Sequence, residues 1–83
     1  MTKLQENIVE IARSAQYLIE NYELDIEDSK QLSTRIISWA EEFEQQNSHV
    51  DYNVDLGPNG EPRDYYIEID KFAFTKMKEF YFA

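Results

Sequence analysis

The first half of the chain repeats its apolar residues at steps of three and four, and that spacing commits it to helix. Leu4, Ile8, Ile11, Ala15, Leu18 and Tyr22 fall on one narrow stripe at 100° per residue, with Ala12 and Ile19 at its edge. Lys3, Glu6, Asn7, Glu10, Arg13 and Gln16 are assigned to the outer side. Thr2 stands three residues before Gln5, the spacing of a capping box, so the helix is predicted over about 2–21. A second stripe follows. Leu32, Ile36, Trp39 and Phe43 recur at i, i+4, i+7 and i+11, with Ser29 and Ala40 beside them and Glu41, Glu42, Glu44 and Gln45 outside. This predicts a helix over about 28–46, capped by Asp25 or Asp28 and ended by the turn formers Asn47-Ser48-His49. Two amphipathic helices on a short link make an antiparallel hairpin.

Two helices alone bury too little surface for a stable domain of 83 residues, so a third element is required. Both glycines and both prolines lie between Gly57 and Pro62, which marks residues 47–63 as a loop or a hairpin tip. Beyond it, residues 64–82 read in two ways. As a helix capped by Asp64, they gather Tyr65, Tyr66, Ile69, Phe72, Ala73, Met77 and Phe80 on one broad face, with Lys76 intruding. As strand, Val50–Leu56 and Tyr65–Asp70 alternate about the turn. The helical reading is preferred. The expected fold is a single all-α domain over 1–83, three helices built on the N-terminal hairpin, with an α+β hairpin-on-hairpin arrangement as the alternative.

Charge limits the partners. Seventeen acids against eight bases leave a net charge of -9, which repels nucleic acid and anionic membrane. No run approaches the ~18 apolar residues of a membrane span, and the N-terminal stretch lacks an apolar secretory core. With no cysteine there is neither a disulfide frame nor a thiolate site, so a cytoplasmic protein is expected. The acids concentrate in two groups: Glu20, Glu23, Asp25, Glu27 and Asp28 around the first link, and Glu41, Glu42, Glu44, Asp51, Asp55 and Glu61 further on. Glu23, Asp25, Glu27, Glu41, Glu42, Glu44, Asp51 and Asp55 are the candidate contacts to a basic protein partner, since such fields speed encounter with opposite charge.

The C-terminal segment is unusually aromatic: Tyr65, Tyr66, Phe72, Phe74, Phe80, Tyr81 and Phe82. Ile67, Phe74 and Tyr81 recur at sevens, a second stripe beyond the one needed for a core. It is a candidate apolar contact to a partner, in the simplest case a homodimer.

Catalytic and metal chemistry find little support. Asp51-Tyr52-Asn53-Val54-Asp55 matches the first oxygen positions of a calcium loop, but Leu56 stands where glycine is needed and Pro62 where the closing carboxylate is needed, so no metal is expected. His49 is the only histidine and has no nucleophile–base pattern around it. No glycine loop cradles phosphate, and a domain this small has little room for a cleft that splits carboxylate pKa values. The expectation is a non-enzymatic binding module without catalytic residues or cofactor. In size, acidity, helical hairpin and lack of cysteine, the chain is similar to phage-encoded inhibitors of nucleic-acid-binding enzymes and to acidic immunity proteins that neutralise basic toxins. That resemblance implies a basic partner whose phosphate-binding or toxic surface is occupied; an oligomeric accessory domain is the alternative.

Overall fold

The computed structural model describes residues 2–47 and 65–82, and within them it forms three helices: α1 (Lys3–Tyr22), α2 (Ser29–Gln46) and α3 (Tyr65–Tyr81). The all-α reading holds. Residues 65–70, the return strand of the α+β alternative, are the first turns of α3, and there is no strand among the described residues. The partner stretch 50–56, the cap Asp64 and the histidine His49 lie outside the described residues.

The helix ends follow the sequence chemistry. Gln5 N–H donates to Thr2 Oγ1 at 3.1 Å and Thr2 N–H donates to Gln5 Oε1 at 2.9 Å, so the capping box is closed. Asp28, rather than Asp25, caps α2, accepting from Gln31 N–H at 3.0 Å. At the far end of α1 the chain reverses through Glu23, held in the left-handed region at φ 50°, ψ 46°. Ile19 O accepts from Leu24 N–H at 3.1 Å, the long bond of a Schellman turn, and Ile19 and Leu24 both pack on the core, as often accompanies that motif. A Cβ in this conformation is crowded against the following carbonyl, which is why glycine or asparagine usually stands there.

Side-chain pairs set the topology. Tyr65 meets Asn7, Asp70 meets Ser14, and Phe82 meets Tyr22, so α3 runs parallel to α1. Phe43 meets Tyr65 and Phe72, Glu42 meets Lys76, and Arg35 meets Tyr81, so α3 runs antiparallel to α2. The bundle is up–down–up. Helix α1 packs closely on both neighbours, whereas the backbones of α2 and α3 seldom approach each other. Their seam is bridged by long side chains: Trp39 on Phe80 (ring centroids 5.7 Å apart), Phe43 on Phe72 (5.3 Å) and Arg35 on Tyr81.

The core is Ile11, Ala15 and Leu18 from α1, Ile36, Trp39, Ala40 and Phe43 from α2, and Ile69, Ala73 and Met77 from α3. The α2 stripe is as expected from its spacing. On α1 the buried arc differs in two places. Asn7, assigned to the outer side, is 4% exposed, and Tyr22, assigned to the stripe, is 56% exposed. Sandwiched between two helices, α1 buries an arc turned toward α3, and there the Tyr65 hydroxyl donates to Asn7 Oδ1. On α3 the contact row steps by four through Tyr65, Ile69, Ala73, Met77 and Tyr81, winding across the helix as an i±4 ridge does. Tyr66 and Phe80, expected on the inner face, lie beside that row and are 61% and 49% exposed.

Candidate functional site

The acids proposed as contacts occupy opposite ends of the bundle. Glu23, Asp25 and Glu27 are exposed on the α1–α2 turn; Glu41 is exposed and Glu44 half-buried near the end of α2. From Asp28 to Glu41 the helix rises about 20 Å, so the two groups do not form one surface. Glu42 is already engaged: Lys76 Nζ stands 2.9 Å from its Oε2, and the same ammonium lies 5.5 Å from the Phe72 ring centre. The intruding lysine of α3 thus meets an acid of α2 across the seam. Asp51 and Asp55 lie outside the described residues.

The turn carries an acidic field within the described residues. Five carboxylates fall between Glu20 and Asp28 with no Lys or Arg among them. Glu20 accepts from Gln16 Nε2 at 3.0 Å and Asp28 is spent on its cap, while no ion pair engages Glu23, Asp25 or Glu27 among the described residues. The last turn of α1 has no base either, so the partial negative charge of its carbonyl end adds to theirs.

The heptad stripe does not form a shared exposed face. Ile67 is 51% exposed, but Phe74 is half-buried beside Phe82, with Lys78 Nζ 4.6 Å from its ring centre. Tyr81 belongs to the i+4 row and packs on the core. Its hydroxyl accepts from Arg35 Nη1 at 2.9 Å, and the Arg35 guanidinium lies 4.6 Å from the Phe80 ring centre and 5.3 Å from that of Tyr81. These two rings tie α3 to α2.

A cleft of about 420 Å³ opens between α1 and α3. Helix α1 contributes Glu10, Arg13, Ser14 and Tyr17 over a floor of Leu18; α3 contributes Asp70 and Phe74. Ser14 Oγ donates to Asp70 Oδ1 at 2.7 Å, which fixes the carboxylate at the rim. Glu10 keeps only 18% of its side chain exposed, and Arg13 reaches it at 3.5 Å while remaining 75% exposed. Sequence periodicity treats Glu10 and Arg13 as outer positions of one helix; only the pairing of α1 with α3 brings them, with Ser14, to Asp70.

Among the described residues no group of three or more His, Asp or Glu side chains converges as a metal site, and no helix is long and apolar enough to cross a membrane. No protein-family model matches the chain, and comparison with curated proteins and with solved structures finds no match.

Proposed function

We propose that the chain is a non-enzymatic binding module that engages a basic protein surface through the α1–α2 turn. The observation that carries this reading is the set of exposed, unpaired carboxylates Glu23, Asp25 and Glu27 at the carbonyl end of α1. Carboxylates without local cations project their field into solvent and steer an oppositely charged surface toward them. Glu23 adds a second argument. A glutamate is kept in a left-handed position where glycine fits with less strain, as expected if the charge is used there. Where the partner binds nucleic acid, the module occupies its phosphate-binding surface and acts as an inhibitor.

The test is capture from host lysate with the wild-type chain and with the triple variant Glu23→Lys, Asp25→Lys, Glu27→Lys. The expected partner is basic, is retained at low salt, is released as salt screens the exposed charges, and is not retained by the triple variant. Circular dichroism of the variant stays helical, because all three residues are exposed. Undiminished retention by the triple variant removes the reading.

A further inference from the structure

We propose that the α1–α3 cleft is a guanidinium pocket that receives one arginine side chain of the basic partner. The identity of the partner rests on the function proposed above; the pocket does not. Its volume, about 420 Å³, lies in the range of small-molecule sites. The floor of Leu18 and the edge of Phe74 suit the aliphatic stem of a long basic side chain. Tyr17, 63% exposed, offers a free ring for a planar cation to stack upon.

The charges select the ligand. Asp70 on α3 and Glu10 on α1 supply carboxylates from two different helices, and Ser14 orients the first of them. An anion is excluded by both carboxylates. A second copy of the chain brings a further net -9. Arginine is favoured over lysine because its planar fork pairs with carboxylates and stacks on tyrosine. The chain's own Arg13 shows the preference in outline. Its guanidinium has been drawn to Glu10, but only to 3.5 Å and with most of the side chain in water. It is a weakly held internal competitor. The cleft also opens one helical turn from Glu20, so a partner laid on the acidic turn has the pocket within reach.

The experiment titrates the full chain with N-acetyl-arginine methylamide at low salt and follows backbone amide shifts by NMR. The N-acetyl-citrulline analogue serves as the neutral isostere. Saturable shifts are expected at residues 13–18 and 70–74, with citrulline inert. Asp70→Asn, or Glu10→Gln where the first variant folds poorly, weakens binding about tenfold, the loss of one charge-assisted hydrogen bond. Arg13→Gln strengthens binding by removing the competitor, while Lys3→Gln, which makes the same change in net charge, leaves it unchanged. Shifts centred on residues 20–28, equal binding of citrulline, or parallel effects of Arg13→Gln and Lys3→Gln would each overturn the pocket. Probe binding without any captured partner removes the proposed function and keeps the pocket; capture without probe binding does the reverse.

Discussion

The hydrogen bond between Tyr65 and Asn7 joins residues 58 positions apart and invites a double-mutant cycle. Asn7 is 4% exposed, so its amide oxygen has little access to water once the tyrosine hydroxyl is gone. Tyr65→Phe keeps the ring and its edge contact with Phe43, at 6.1 Å between centroids, and removes the hydroxyl that donates to Asn7. Leaving a buried acceptor without its donor costs about 1–3 kcal/mol. For a domain this size each kcal/mol moves the melting temperature by about 4–8 °C. A fall of about 4–24 °C is therefore expected. Asn7→Leu, which is similar in shape, leaves the half-buried tyrosine hydroxyl able to turn toward solvent and costs less. The double variant Asn7→Leu, Tyr65→Phe leaves neither partner of this bond orphaned and recovers most of the single-variant loss, since apolar replacement of both partners is close to neutral. Urea denaturation followed at 222 nm gives the four free energies, with an unchanged m-value confirming a common unfolding transition. A Tyr65→Phe cost under ~0.5 kcal/mol, or a double variant as unstable as the sum of the singles, would refute the burial argument.

Two further outcomes are expected. Glu23→Gly relieves the left-handed strain, about 1–2 kcal/mol, against an unfolded-state entropy cost of about 0.5–1 kcal/mol; a thermal melt should rise by several degrees while partner retention falls, and an unchanged or lower melt argues against strain at the turn. Ile69→Ala, at a fully buried site in α3, costs about 2–5 kcal/mol in chemical denaturation, whereas Ile67→Ala, half exposed on the same helix, stays within about 1 kcal/mol.

How much of this was legible in the chain depends on where each partner sits. The α2 stripe Ile36, Trp39, Phe43 could be read because one face meets the core, and the Thr2–Gln5 box and the Asp28 cap could be read because both partners are local. Asn7 could not be read, because the group that satisfies it arrives from α3. At 100° per residue it lies only 20° from Leu18, but its polarity placed it outside. The second aromatic stripe misled for a related reason. Steps of seven joined Tyr81 to Ile67 and Phe74, whereas packing follows steps of four, and Arg35 of α2 draws Tyr81 inward. The cleft was invisible, since its carboxylates belong to helices whose pairing no local pattern specifies.

Helix α1 is the hub of the bundle, and α2 and α3 are joined mainly by the tips of long side chains. With α1 packed on both neighbours, the length of each connection decides which pair closes more readily. The α1–α2 hairpin closes over a six-residue link from Glu23 to Asp28 and can form early, because little loop entropy opposes it. Helix α3 follows a longer connection, from Gln46 to Tyr65, whose closure costs more, so it is expected to dock after the hairpin and to exchange its amides through a lower-energy opening than those at the centre of α1. Anything that grips α1 and α3 together would raise the free energy of that opening and slow α3 exchange without changing a single contact inside the hairpin.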